Sequence, residues 1–178
     1  MTLAERFAQM PVLRFFSALV PVTCGMLAVL LANLPVPLFG GLVPTPLLGL
    51  VPVYFWCLVR PDLMTPAVTL VIGLLEDVVS GGPPGVWTLS FVLTYALVAR
   101  QRDSFAGLSG LVAVLGFAAA AAFACACAWL TVAALHGRPP LFAPIFSELA
   151  MTVLFYVPAT FVIGIIHRHL VGPLRSDF

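Results

Sequence analysis

The charges of this chain stand in a few places and leave very long stretches between them. Forty-five consecutive residues separate Arg14 from Arg60 without an Asp, Glu, Lys or Arg; 22 separate Asp77 from Arg100, 34 separate Asp103 from Arg138, and 19 separate Glu148 from Arg168. A helix crossing the ~30 Å of hydrocarbon in a bilayer needs roughly 20 apolar residues, because it rises ~1.5 Å per residue. The uncharged runs therefore predict membrane spans. Composition points the same way: 62 % of the 178 residues are hydrophobic, 8 % are charged, and mean hydropathy is +1.14. A water-soluble domain carries about a quarter charged residues. This shortage excludes a cytosolic enzyme. A net charge of +1 with no lysine leaves no basic face for phosphates, which excludes a nucleic-acid binder. The apolar content excludes disorder.

Six spans divide the chain, at about 14–34, 43–59, 63–80, 84–99, 106–134 and 145–166. In lipid each segment must pair its own backbone polar groups, which leaves helices, and no alternating strands suggest a barrel. The expected fold is all-α and polytopic, a single six-helix transmembrane domain over residues 1–178. The second and fourth spans are short and need a thinned bilayer or a tilted neighbour. Pro and Gly mark the loops at 34–46, Arg60-Pro61-Asp62, 80–85, 100–104 and 136–140. Pro21, Pro52, Pro66 and Pro158 fall within spans and are expected to bend them.

Arginines set the orientation. With the N-terminus inside, Arg6, Arg14, Arg60, Arg100, Arg102, Arg168 and Arg175 are cytoplasmic, and Arg138 alone lies outside. This bias predicts both termini in the cytoplasm. The first apolar run follows Arg6 and Arg14 but is too long for a signal-peptide core and lacks a convincing cleavage site, so it is expected to stay attached.

Glu76 and Asp77 are the most informative pair, since an ionised carboxylate in a span is expensive. Thr69, Gly73, Glu76 and Ser80 follow 3–4 spacing and form one polar, small-residue stripe, with Asp77 beside it. One reading is a proton or ligand site; another is a polar contact, internal or to a partner. In the plainest, Asp77 ends the helix and both acids reach toward the outer headgroups, capping nothing. Glu148 opens the sixth span, where a first-turn Glu favours a helix N-terminus, and shares a face with Thr152 and Tyr156. Trp87, Ser90 and Thr94 line one face of the fourth span with Tyr95 beside them, and such hydroxyls commonly bond their own helix. Trp87, Thr94, Tyr95 and Glu148 are the candidates for a polar pocket, and Arg138 is a candidate partner for an outer acid.

Cys125 and Cys127 face nearly opposite ways on a helix, so the four cysteines read as small buried hydrophobes. The fifth span, with Gly107, Gly110, Gly116 and Ala118 through Ala122, suits close helix packing. No nucleophile, zinc or phosphate-loop motif is present. Catalysis, a metal and a cofactor are not expected.

The segment from Pro46 to Arg100 resembles the MreD family of bacterial rod-shape-determining membrane proteins. The residues that carry the resemblance are Pro46, Phe55-Trp56, Pro61 and Gly73-Leu-Leu-Glu-Asp77-Val-Val-Ser-Gly-Gly-Pro-Pro-Gly85, followed by Leu89 and Tyr95. Leu47 departs from the Asn or Asp common at its position, Glu76 adds a second acid, and Pro52 is unusual. The resemblance implies a non-enzymatic subunit of the cell-elongation machinery in the bacterial inner membrane, supporting lateral peptidoglycan synthesis. The implied partners are membrane lipids, a bitopic MreC-like protein and, through it, MreB filaments, a RodA-type glycosyltransferase and its transpeptidase. Gly73, Glu76, Asp77, Gly81, Gly82 and Gly85 are the expected partner or packing residues. The family fold is likened to the substrate-binding subunits of energy-coupling-factor transporters, which implies a small-molecule binding or transport subunit as the alternative.

Overall fold

The computed structural model describes residues 11–34, 45–102 and 110–171. Six α-helices run through them: α1 (Pro11–Ala32), α2 (Leu50–Val59), α3 (Pro66–Ser80), α4 (Val86–Arg100), α5 (Leu111–His136) and α6 (Phe142–Ile166). A π-helical turn, His167–Val171, continues α6. No strand occurs among the described residues. Most of the expected 34–46 loop and the expected start of the fifth span lie outside them.

Local chemistry sets the helix ends. The Thr65 hydroxyl accepts a hydrogen bond from the Val68 N–H at 3.3 Å, and Pro66 takes the first helical position of α3. A proline loses nothing there, because that N–H has no intrahelical partner. Pro66 therefore starts a helix rather than bending one, and Pro52 falls in the first turn of α2. Of the prolines expected to bend spans, only Pro21 and Pro158 lie inside helices.

The shortest helix is the centre. Leu50, Val51, Pro52, Val53, Tyr54, Trp56 and Cys57 of α2 are all buried, and α2 packs against α1, α4, α5 and α6. Its ten residues rise only ~15 Å. The expected span at 43–59 is corrected accordingly: residues 45–49 are not helical, and helix begins at Leu50. The reason is a substitute acceptor. The Leu47 N–H donates to the Thr152 hydroxyl of α6 at 2.9 Å, so a buried backbone group is satisfied without helical geometry. Tyr54 then meets Phe117 and Tyr156 edge-on, at centroid distances of 5.4 and 6.2 Å. Phe117 and Tyr156 stack at 4.1 Å, tying α2, α5 and α6 into one aromatic core.

The helices α3 and α4 form a close hairpin. A Cβ on Gly73 would lie 2.6 Å from the Thr88 Cα, so only glycine permits this approach. Across the other end, the Tyr95 hydroxyl donates to the Met64 carbonyl at 2.9 Å. Between α2 and α3, Arg60 grips Asp62 through Nε and Nη2 at 2.9 and 2.8 Å. That guanidinium holds the exposed Asp62 carboxyl below the usual carboxylate range.

Polarity is turned inside out. Thr69, Gly73, Glu76 and Asp77 of α3 are buried, while Leu70, Val71, Leu74 and Val78 are exposed, Val78 by 78 %. Leu111, Leu115, Leu130, Phe146 and Phe161 are likewise exposed on α5 and α6. A helix facing water shows the opposite pattern. The segments Leu111–His136 and Phe142–His169 are long and apolar enough to cross a membrane.

Two predictions follow from this packing. Gly73→Ala should lower stability by about 1–3 kcal/mol, as overpacking does, whereas Gly82→Ala, whose added carbon meets nothing nearer than 3.8 Å, should be near neutral. Thermal unfolding in detergent checks the contrast, and equal melting temperatures would refute the close approach. Asp62→Asn should cost about 0.5 kcal/mol or less, given the exposure of the pair. Because the native carboxyl titrates below its unfolded value of about 3.9, the difference from wild type should be constant at neutral pH. It should shrink as pH falls through that value and vanish once Asp62 is protonated in both states.

Candidate functional site

The two neighbouring acids of α3 have different fates. Asp77, 5 % exposed, reaches across the turn to the start of α4. Its Oδ1 accepts from the Trp87 N–H at 2.8 Å, and its Oδ2 accepts from the N–H groups of Gly85 and Thr88 at 2.9 and 3.1 Å and from the Thr88 hydroxyl. The first turn of any helix leaves its N–H groups unpaired and carries partial positive charge. Gly85, the residue before α4, has no side chain to cap them. A carboxylate from the preceding helix takes that place. The reading in which Asp77 caps nothing is overturned.

The turn has the backbone this contact needs. Gly81 ends α3 at φ 68° and Gly85 precedes α4 at φ 93°, both in the left-handed region where a side chain is strained. Gly73 provides the close approach one turn below Asp77. Of the six expected partner or packing residues, Gly73, Gly81, Asp77 and Gly85 thus build this hairpin from within. Gly82 lines an outer groove, and Glu76 turns elsewhere.

Glu76 is 3 % exposed and faces α1 and the 45–49 turn. Its Oε1 accepts from the Asn33 side-chain amide at 3.0 Å, while Oε2 is buried with no partner. A Cβ on Gly49 would stand 3.3 Å from Oε2, so that oxygen abuts the turn. Beyond the turn, Thr152 accepts from Leu47 and donates to the Glu148 carbonyl at 2.7 Å. Glu148 is half-buried and within reach of the charge on Glu76. It stands seventh in α6, past the first turn, so its expected role at the helix N-terminus is corrected. Arg138 is exposed and pairs with none of the described acids.

The four expected pocket residues are not brought together. Trp87 lines an outer groove of about 380 Å³ with Pro140, Pro144 and Ile145. Thr94 and Tyr95 pack against Leu50, Tyr54 and Cys57, two turns along the helix. Ser90 and Thr94 bond the carbonyls of Val86 and Ser90, each at 2.7 Å, as hydroxyls in apolar helices do. Glu148 joins the Glu76 cluster instead. The four cysteines are free, Cys57 and Cys125 buried.

Sequence reasoning missed Asn33, Gly49 and Thr88. Asn33 had a usable signal: it is the only asparagine in the chain and ends an apolar run. Compared with family models, curated proteins and solved structures, the chain matches none.

Asp77→Leu strands three backbone N–H groups and should cost about 3 kcal/mol or more, whereas Asp77→Asn keeps an acceptor and should cost about 1–2 kcal/mol. Denaturant or thermal unfolding of the two variants checks the order, and a leucine variant as stable as wild type would remove the cap from the account.

Proposed function

We propose that this chain is a six-span integral membrane protein of the bacterial inner membrane, with both termini cytoplasmic. It acts as a non-enzymatic assembly subunit of the cell-elongation complex, as the MreD-like residue pattern implies. Its task is to hold the single transmembrane helix of a bitopic MreC-like protein, and through it to support lateral peptidoglycan synthesis by the associated filament, glycosyltransferase and transpeptidase.

The observation that carries this reading is an apolar groove of about 640 Å³ between α5 and α6. Exposed Ala122 and Ala126 form its floor, one turn apart on α5, and Trp129, Phe142 and Phe146 form its wall. Helices associate in lipid through close packing on small residues, because no hydrophobic force separates them from the acyl chains. Trp129 stacks on Phe142 at 4.8 Å and donates to the Pro140 carbonyl at 3.1 Å, which holds the outer rim in place. The outward apolar faces of α3, α5 and α6 support the membrane placement. Helix α3 is less suited to a partner than α5, since α4 already fills the space at Gly73.

The test is co-purification in detergent with a single-span wall-synthesis protein. Wild type should co-elute with it. Ala126→Trp, which fills the groove at an exposed position, should weaken the complex about tenfold or more, ~1.4 kcal/mol. Failure to co-elute, or full binding by Ala126→Trp, would refute the docking groove. Stabilisation by a small molecule with no partner present would favour a binding or transport subunit. Reporter fusions at both ends should report the cytoplasm.

A further inference from the structure

Glu76 and Glu148 enter the bundle from α3 and α6, on either side of the non-helical 45–49 turn. The groups around Glu76 can be named element by element. From α1 come Val29 and Asn33; from the turn, Gly49; from α4, Phe91; from its own helix, Asp77; from α6, Glu148, beside which stands Cys125 of α5. None of these carries positive charge. The α4 N-terminus is already committed to Asp77.

Among the described residues no cation stands here. The sequence from 35 to 44, which leads into the turn, has no charged residue, and Arg138 and His136 are exposed. Yet a buried carboxylate without a partner is unfavourable, and two within reach of one another more so. No described side chain supplies the neutralising charge, which makes a cation taken up from solution the candidate. One oxygen faces the place where it would sit: Glu76 Oε2 is buried and unpartnered, and it abuts the turn at Gly49.

We infer that Glu76, held by Asn33 on one carboxylate oxygen and with Glu148 as its acidic neighbour, binds one small cation, a proton or a sodium ion, at its free oxygen against the 45–49 turn. This site lies apart from the α5–α6 groove and holds whether or not that groove takes a partner helix.

The test uses the full chain in lipid nanodiscs at pH 8, in choline chloride or in sodium chloride of equal ionic strength. A bound proton appears as a carboxylic-acid carbonyl band in the infrared spectrum of wild type that Glu76→Gln lacks. Bound sodium appears as a rise in melting temperature of roughly 5–10 °C at a hundredfold excess over Kd, absent in Glu76→Gln. Wild type showing neither the band nor the sodium response overturns the site, as does a Glu76→Gln protein identical to wild type in both. Should Glu76→Gln fail to accumulate, Glu148→Gln replaces it. Removing the neighbouring acid shifts loss of the band to lower pH, or weakens the sodium response about tenfold. A Glu148→Gln protein indistinguishable from wild type overturns the inference.

Discussion

One carboxylate joins the most tightly packed pair of helices in this protein. Asp77 accepts the N–H groups at the start of α4, at 2.8 to 3.1 Å, and thereby fixes how α3 and α4 meet. Other features rely on that junction. The interdigitation at Gly73 and Thr88 requires the helices to be locked at a set distance. The orientation of α3 that aims Asp77 at α4 also turns Glu76, about 100° around the helix, toward α1 and the turn before α2. Burying a charge is costly in general. Here an anion meets the positive end of a helix with its acceptors filled, the arrangement in which the interaction strengthens with burial.

Much of the architecture was legible from the spacing of charges, because an uncharged run of sufficient length has few ways to exist in water. Apart from α3, which carries Glu76 and Asp77, the helices lie largely within those runs. Their ends were legible only where a side chain declares itself, as Thr65-Pro66 does before α3 and the Gly-Pro-rich 81–85 turn does before α4. The start of α2 was not. Pro44 and Pro46 mark a loop up to residue 46, but Leu47 and Leu48 read as helix, and there a hydroxyl on α6, far along the chain, takes the Leu47 amide. Such a tertiary acceptor leaves no mark on the segment it alters.

The candidate site shows the same division. That Glu76 and Asp77 are special follows from their place in an apolar run; of the 3–4 stripe, Thr69, Gly73 and Glu76 turn inward, while Ser80 at its end is exposed. That the two acids serve separate purposes could not be read from adjacent letters, since it depends on which neighbour each direction happens to meet. Glu148 looked like a helix-end residue because the length of α6 before it was underestimated. Trp87, Thr94 and Tyr95 share a helix and a polarity, but distance along the axis separates their surroundings.

The bond between Leu47 and Thr152 joins residues 105 positions apart. It bears on how the chain is made. The Leu47 amide just ahead of α2 lacks this acceptor until α6 has been synthesised. The turn before α2 therefore takes this form only once α6 is in place.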